Sequence, residues 1–562
     1  MDKPLIKIYG KIIFVLSFFI LAFFVWLSLI STSTVTLTEN VFFTEISGTR
    51  QLILFLILLI VSFIPPVNGC LKTAGDKLEK NDKLFKGLYY GLLAVLLLMS
   101  VIWVFATRFI SWADSVEVQK AAAGLVSGDY SAFTAGGYIG RWHNQIGLVL
   151  IEAAVIKVFG SNSGIVFQLV NAICVPVIAA GLSEFVSLRI HKIVTVLVST
   201  LYLPLLFSIS HVYGNIPGLM LSLLAFVFLF DAFEKKSVKL GILSALLMGL
   251  ACLVKQNYII FLIAYIIICI LTAIKNKKMI SLLAALIAVV TGILLSVIST
   301  GITEHILGFK VEGGVSKWSY IAMAMQEGYR APGWCNDYNM DTYDLVGHDE
   351  ALQSEMAKKE VHALAVNFAA HPKYAVDFYV RKLASQWNEP TFQTIWNLRS
   401  HEGKLPGAID HMVSIYGSFK VIPYFKFFEV VIYLSAFLFV CFEKKFDERS
   451  LLLLTTFIGG VLFHILWEAK AQYALFYFLL LIPVAVKGCG SFRSTVNGFA
   501  TERKAKKEKD KKSAFKVRMD LLICLVLFLL FLRVVYYLHI PATLTGGSLP
   551  YYQYIVENSM QN

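Results

Sequence analysis

Residues 87–107 read GLYYGLLAVLLLMSVIWVFAT, an uncharged run that matches the roughly 20 apolar residues a helix needs to cross a bilayer. Similar runs recur along the chain. None alternates polar and apolar residues as the strands of a membrane β-barrel do. The sequence therefore predicts an all-α polytopic membrane protein, a helical bundle of about 13 transmembrane helices. The predicted spans are residues 8–30, 51–67, 87–107, 164–186, 193–210, 216–233, 238–254, 258–274, 279–299, 421–441, 449–467, 472–487 and 518–538.

Composition supports this class. Of the 562 residues, 57% are hydrophobic and 15% are charged, whereas soluble domains have roughly 45–50% apolar and 25% charged residues. The mean hydropathy is +0.70. These values exclude a soluble enzyme, a disordered chain and a disulfide scaffold. Much of the net charge of +13 lies in short loops between apolar runs, where Lys and Arg set topology, so we expect no nucleic-acid partner.

Charge in the loops orients the spans. Lysines before the first span place the N-terminus in the cytoplasm, and the lysine-rich loop 68–86 is also inside. Span 87–107 then leads outwards and Asp114 is extracytoplasmic. The basic loops near 189–192, 235–239 and 275–278 must be inside as well. Segment 146–160 therefore cannot be a full crossing, and we expect it to lie at the interface or to dip in and return.

Two external regions follow from this topology. The loop 108–163 carries membrane-hugging helices, and residues 301–420 form a mainly helical extracytoplasmic lobe. The predicted units are an additional N-terminal transmembrane pair (1–86), a transmembrane module that includes the external loop 108–163 (87–300), the lobe (301–420), C-terminal transmembrane helices (421–487), a basic cytoplasmic linker (488–517) and a last transmembrane helix with an external tail (518–562).

Asp114 is the first candidate for chemistry, in the run SWADSVEVQKAAAGLVSGDY at the outer end of a span. A carboxylate at the bilayer edge is a plausible general base. It is also a good helix N-cap before VEVQKAAAG.

A polar cluster of Arg141, His143, Asn144 and Gln145 precedes the non-crossing apolar segment. Arginine pairs with phosphate through two hydrogen bonds, and the other three side chains bind hydroxyl groups. The alternative is an ordinary interfacial anchor.

Two short external loops carry lysines. Lys255 lies in a predicted external loop, where the positive-inside rule disfavours lysine. We therefore expect an anionic partner for it, such as phosphate, although its side chain could instead reach the lipid headgroups. Glu468 and Lys470 could line a polar cavity, or form a weak local pair.

Aromatic residues in the lobe run 320–339, Trp334 among them, could stack on a sugar or simply pack at the interface. No nucleotide-binding, zinc-protease or nucleophile-elbow motif is present. We expect no cofactor and no metal site.

Taken together, these features resemble the GT-C membrane glycosyltransferases. The resemblance is greatest to the branch that includes dolichyl-phosphate-mannose protein mannosyltransferases and the aminoarabinose transferases of lipid A. Asp114 matches the acidic residue that the branch carries in its first external loop, but Ser115 stands where the family often has a second acid. Glu117 or Asp129 is then the candidate second carboxylate.

Three later segments carry the same resemblance. Trp142–Gly160 is similar to the family's stretch of a His/Lys-Pro-Pro-Leu motif, an interfacial helix and Phe-Gly, with His143-Asn144-Gln145 in place of the prolines. Leu253–Gln256 resembles the family's Leu-Thr-Lys-Gly-Pro segment. Glu468–Tyr473 resembles its Glu-x-Arg-Tyr motif, with Gln472 in place of the arginine. The first two spans and the last one resemble additions.

The resemblance implies a hexosyl- or pentosyltransferase in the plasma membrane that takes a sugar from a polyprenyl-phosphate donor on the extracytoplasmic side. We expect an inverting displacement with Asp114 as base. The acceptor is a glycan, a lipid or a protein, and membrane lipids surround the chain. The expected phosphate ligands are Arg141, Lys255 and Lys470, and the expected substrate-binding residues are Glu117, Tyr138, His143, Asn144, Gln145, Gln256, Trp334, Glu468 and Tyr473.

Two other classes share this topology. One is a transporter or flippase of lipid-linked glycans, which the large lobe and the scarcity of charges within the spans disfavour. The other is a wall-polymer polymerase or ligase that uses a pyrophosphate-linked donor.

Overall fold

The computed structural model describes residues 3–36, 39–44, 47–108, 110–276, 279–311, 313–399, 405–443, 446–505 and 519–544. Helices dominate these residues, as predicted. The first part of the chain contains α1 (Pro4–Ile30), the strands β1 (Thr32–Val35) and β2 (Val41–Thr44), α2 (Thr49–Val61), α3 (Pro65–Lys80), α4 (Asp82–Thr107), α5 (Asp114–Ser127), α6 (Tyr138–Arg141), α7 (Ile146–Phe159) and α8 (Ser163–Ser183). It is followed by α9 (Arg189–Leu201), α10 (Leu203–Phe207), α11 (Asn215–Lys235), α12 (Val238–Val254), α13 (Ile259–Asn276) and α14 (Met279–Leu307).

The predicted lobe is helical too. It contains α15 (Lys317–Ala324), α16 (Tyr338–Leu345), α17 (Glu350–Ala370), α18 (Pro372–Trp387), α19 (Thr394–Arg399) and α20 (Gly407–Val413). The rest of the chain forms α21 (Ile415–Phe442), α22 (Glu448–Leu466), α23 (Ala471–Leu479), α24 (Leu481–Ala505), α25 (Met519–Tyr537) and α26 (Ile540–Thr543).

The helices account for every predicted span. Within the described residues, nine helices are long and apolar enough to cross a membrane, and three bent helix pairs raise the number to 12. The remaining predicted span, 238–254, is α12, which has 17 residues. The protein is therefore a multi-pass membrane protein. Residues 506–518 of the predicted linker and 545–562 of the predicted tail lie outside the described residues.

Proline accounts for the bent pairs. The second helix of each pair has a proline in its first turn, at Pro65, Pro204 and Pro483. A proline is tolerated there because the backbone N–H of that turn has no partner within the helix. The bends are 80°, 59° and 47° in chain order.

The helical run His143–Ser183, which includes α7 and α8, has 41 residues. A straight crossing needs about 20 residues. Between α7 and α8, Gly160 has a φ of +57°, a left-handed conformation that suits glycine. That segment 146–160 does not cross the membrane stays a prediction.

The strands of the described residues form one antiparallel hairpin. Thr32 pairs with Thr44 and Val35 with Val41, within the loop between the first two predicted spans. The hairpin joins α1 to α2 and is fixed to the lobe, since the Ser33 amide donates to the Asn388 carbonyl at 2.9 Å. The hairpin is thus packed against the lobe.

The lobe and the bundle share a core. Trp387, at the end of α18, stacks on Phe24 of α1 with ring centres 5.3 Å apart. It also contacts Phe457 of α22 at 5.6 Å. Burying aromatic rings of this size contributes strongly to packing. The lobe is therefore anchored in the membrane-spanning part and does not stand apart from it.

The loops predicted to be cytoplasmic also meet one another. Arg189 pairs with Asp82 at 3.0 Å, Arg449 with Glu234 at 2.7 Å, and Lys275 with Glu448 at 2.6 Å. The first pair joins two loops that the charge pattern places inside, and the other two join such loops to the start of α22.

Candidate active site

Asp114 begins α5, shortly after the C-terminal end of α4. The cap position of α5 belongs to Ala113, whose φ of +53° turns the chain sharply into the helix. The Asp114 carboxylate acts electrostatically on Lys255, Glu468 and Lys470, which come from two distant breaks between helices. Four ionisable groups thus form one cluster, which we call the outer cluster.

Lys255 occupies the break between α12 and α13. Its backbone is extended, with φ −154° and ψ 117°, and this conformation ends α12. The side chain is buried, and its ammonium lies 3.6 Å from the centre of the Tyr213 ring and 6.0 Å from that of Tyr473. Among the described residues, no carboxylate is within ion-pair distance of this ammonium. Burial lowers the pKa of Lys255 to about 7, while Asp114 and Glu468 act in the opposite direction.

A close approach of two backbones places this lysine. A Cβ atom added to Gly214 would lie 2.3 Å from the Val254 carbonyl oxygen, and one added to Gly147 would lie 2.5 Å from that of Leu253. Glycine at both positions therefore lets α7 and the start of α11 pack directly against the end of α12.

Glu468 and Lys470 occupy the break between α22 and α23. Burial raises the pKa of Glu468 to about 7, against an opposing effect of Lys470. The two side chains do not pair with each other. Lys470 instead binds Glu39, with its ammonium 2.8 Å from Glu39 Oε1.

Glu39 is the unexpected member of the site. It comes from the turn of the hairpin, and its second oxygen lies 2.9 Å from Nε of Arg330 in the lobe. Burial opposes ionisation of Glu39, but Lys470 and Arg330 together lower its pKa below the ordinary value. Neither Glu39 nor Arg330 stands out in the sequence, because ordinary loop residues surround both.

Two tyrosines line the same region. Tyr213 lies beneath Lys255, and its hydroxyl is the acceptor of a hydrogen bond from Gln145 Nε2. Tyr138 is hydrogen-bonded to Tyr213 as well; burial raises the pKa of Tyr138, and the nearby Tyr213 and Asp114 add to that rise. The predicted residues Tyr138 and Gln145 are thus both connected to Lys255 through Tyr213.

Two cavities adjoin the outer cluster. One is lined by Lys255, Asn257 and Tyr473 among others. The second is lined by His211 and Gln472 and shares Asn215 and Phe476 with the first. Within the part of the chain that the structure describes, no group of three or more His, Cys, Asp or Glu side chains is placed to hold a metal ion.

The family described as dolichyl-phosphate-mannose-protein mannosyltransferase has a sequence profile that matches residues 146–297. The predicted resemblance to the GT-C glycosyltransferases is confirmed. The matched segment covers about a quarter of the chain and includes α7 to α13, with Gln145 just before it and Lys255 inside it.

A solved structure is also similar to the chain. It is the archaeal oligosaccharyltransferase AglB from Archaeoglobus fulgidus, in complex with an inhibitory peptide and a dolichol-phosphate. The sequence identity is 12% and the TM-score is 0.37, over 81% of this chain and 56% of that one. The chain thus spans little more than half the length of AglB. No curated protein matches the chain.

Other predicted site residues have different surroundings. Arg141 pairs with Asp344 of the lobe at 2.9 Å and also donates to the Gly136 carbonyl. Arg141 thus joins the loop to the lobe, and its convergence with Asp114 and Lys255 on one phosphate stays a prediction. Glu117 forms an exposed pair with Lys120 at 2.7 Å.

Trp334 is only 1% exposed and donates to the Ser385 hydroxyl at 2.7 Å. Its ring is part of the hydrophobic core, so it is not accessible for stacking on a sugar. Asn144 and Gln256 are exposed, whereas His143 is half-buried and approaches Gly314 at the start of the lobe. Tyr473 stacks on His464, with ring centres 5.7 Å apart, at the edge of the outer cluster.

Proposed function

We propose that the protein is a membrane glycosyltransferase that moves a hexosyl or pentosyl group from a polyprenyl-phosphate donor to an acceptor on the extracytoplasmic side. The observation that supports this most is the outer cluster itself. In it, the Asp114 carboxylate acts electrostatically on two lysines from separate helix breaks and on Glu468. A base close to cations suits transfer from a phosphate leaving group.

In the proposed step, Asp114 accepts the proton of an acceptor hydroxyl. The acceptor oxygen then forms a bond to the anomeric carbon as the bond between that carbon and the phosphate oxygen breaks. The electron pair of the broken bond leaves with the polyprenyl phosphate. A single displacement of this kind inverts the anomeric configuration.

Lys255 and Lys470 stabilise the departing phosphate, whose negative charge grows in the transition state. Lys255 is buried and the Lys470 side chain is only 14% exposed, so their interaction with an anion is screened less than it would be in water. Losing one such contact costs on the order of 2–4 kcal/mol of transition-state stabilisation. Because the pKa of Glu468 is raised to about 7, this carboxyl group is partly neutral at physiological pH and cancels less of the positive charge.

The location of the outer cluster suits a lipid-linked donor. It lies in the breaks between predicted spans, beside two cavities lined by both aromatic and polar side chains. In this proposal the isoprenoid chain stays in the lipid while the phosphate and sugar reach the outer cluster from the outer leaflet. Residues 87–300 form the catalytic module, and Tyr138, Gln145 and Tyr473 contact the donor.

A test uses the full chain purified into lipid nanodiscs. Donors carrying a radiolabelled hexose or pentose on polyprenyl monophosphate are compared with the same sugars on polyprenyl pyrophosphate, and release or transfer of label is followed. We expect turnover of a monophosphate donor and its loss in Asp114→Asn. Turnover of pyrophosphate donors alone identifies the polymerase or ligase class. When the chain is reconstituted into closed lipid vesicles instead of nanodiscs, movement of label across the membrane without bond cleavage identifies a transporter.

A further inference from the structure

The hairpin between α1 and α2 brings a carboxylate to the outer cluster. Glu39 is 8% exposed, and each of its oxygens has a different cation: Lys470 at 2.8 Å and Arg330 at 2.9 Å. Gln393 Nε2 also donates to Glu39 Oε1, at 3.2 Å. One side chain therefore joins the hairpin to the lobe and to the break between α22 and α23.

The backbone at Glu39 indicates that its side chain is needed there. Its φ is +64°, a left-handed conformation that glycine adopts without strain and that other residues adopt at a cost of about 1 kcal/mol or more. The hairpin is locked in this position, because the Val41 amide donates to the Arg330 carbonyl at 3.0 Å. The backbone conformation of Glu39 is unfavourable, and both of its carboxylate oxygens contact cations. We therefore infer that these side-chain contacts hold Glu39 in this conformation.

Both cations keep hydrogen-bonding capacity beyond Glu39. An ammonium has three N–H donors and a guanidinium has five. Lys470 uses one donor for Glu39, while Arg330 lies against Glu39 and also donates to the Cys335 carbonyl. A carboxylate that holds two cations side by side, and leaves donors on each, pre-organises them for a second anion.

We propose that Glu39 is a positioning residue, which holds Lys470 and Arg330 together so that both face the phosphate of the donor. This rests on the proposed function, since the anion is the donor's phosphate. This role makes α1, the hairpin and α2 part of the catalytic unit, although the sequence alone indicates that the first two spans are additions to the helices of the family. Glu39 stays in place when donor binds, because leaving would strand a buried carboxylate without partners.

The test compares Glu39→Gln and Glu39→Asp with the wild-type chain in nanodiscs. Polyprenyl monophosphate is the binding probe, and the donor KM, acceptor KM and kcat are measured for the donor that turns over. We expect Glu39→Gln to weaken probe binding and raise the donor KM about tenfold, with the acceptor KM within about twofold. Glu39→Asp, which keeps the charge on a shorter side chain, falls between the two. Glu355→Gln is the matched control, because Glu355 is an exposed residue of the lobe that pairs with exposed Lys359.

A double-mutant cycle separates positioning from general stabilisation. If Glu39 acts through Lys470, Glu39→Gln has little further effect on probe binding in a Lys470→Met background. Fully additive effects overturn the role, as does wild-type binding by Glu39→Gln. Tighter probe binding by Glu39→Gln also overturns it, because the carboxylate then competes with phosphate. A wild-type chain that neither binds the probe nor turns over any donor overturns the proposed function itself, and this role falls with it.

Discussion

The ammonium of Lys255 lies 3.6 Å from the centre of the Tyr213 ring, in a buried break between two helices. The ring face stabilises the cation without neutralising it. The lysine therefore keeps its charge available for an anionic substrate. The same burial makes that charge sensitive to pH, since it lowers the pKa of Lys255 to about 7.

Donor binding should therefore weaken above neutral pH. Lysine is charged below its pKa, so the charge that binds phosphate is present at pH 6 and is lost as the pH rises through about 7. We expect the donor KM to increase about tenfold from pH 6 to pH 8.5. Steady-state kinetics at fixed acceptor concentration measure this. In Lys255→Met the donor KM should be high at every pH, and a persistent alkaline rise in that variant would show that another group titrates.

Glu468 should reduce the stability of the fold as the pH rises. Its folded pKa is raised to about 7 from an ordinary 4.5, so its contribution to stability is full below pH 4.5 and is lost as the pH rises through 7. Glu468→Gln cannot ionise, so the variant does not lose this stability as the pH rises. We expect the Tm of the variant, relative to wild type, to be several degrees higher at pH 8 than at pH 5. A difference that does not change between these pH values contradicts the burial of Glu468; Glu355→Gln serves as the surface control.

Arg141 and Asp344 should behave as one unit. Their contact, 2.9 Å long, is partly exposed, and such pairs contribute about 0–1 kcal/mol. We expect Arg141→Gln and Asp344→Asn to lower the rate of transfer by equal factors of about threefold or less, and the double variant to equal either one. A loss of about 100-fold in the rate of transfer, seen in Arg141→Gln but not in Asp344→Asn, would instead support the phosphate-binding role that the sequence predicts for this arginine.

The close approach at Gly214 should be essential for placing Lys255. An alanine there would put its Cβ 2.3 Å from the Val254 carbonyl oxygen, so the end of α12 must shift. We expect Gly214→Ala to destabilise the protein by about 1–3 kcal/mol and to raise the donor KM. Gly164→Ala is the matched control, since nothing lies within 4 Å of its added Cβ. Equal Tm values for the two variants would contradict the role of Gly214.

The overall architecture could be predicted because apolar length and loop charge report it directly. Asp114, Lys255 and Lys470 come from three loops that the positive-inside rule places outside, and the structure brings them together. Each was noticeable as an ionisable residue at a break between apolar runs.

The remaining contacts depend on tertiary packing that no local pattern encodes. Glu39 lies in a short polar loop, and only the docking of the hairpin on the lobe brings it to Lys470. Arg141 precedes an apolar helix as an interfacial phosphate ligand would, yet Asp344 reaches it from a distant part of the lobe. Trp334 has a large aromatic side chain of the kind that stacks on sugars, but α18 covers it.

Replacement of Asp114 by asparagine tests the proposed function most directly. The variant keeps the size of the side chain and removes its ability to accept a proton from the acceptor, a role worth about 10²–10⁴-fold in rate. The measurement is kcat for sugar transfer from a polyprenyl-phosphate donor in nanodiscs, beside Glu355→Gln, which changes a surface carboxylate that pairs with Lys359. We predict a loss of at least about 100-fold in Asp114→Asn and a near wild-type rate in Glu355→Gln. Wild-type kcat in a correctly folded Asp114→Asn protein would contradict the proposed mechanism.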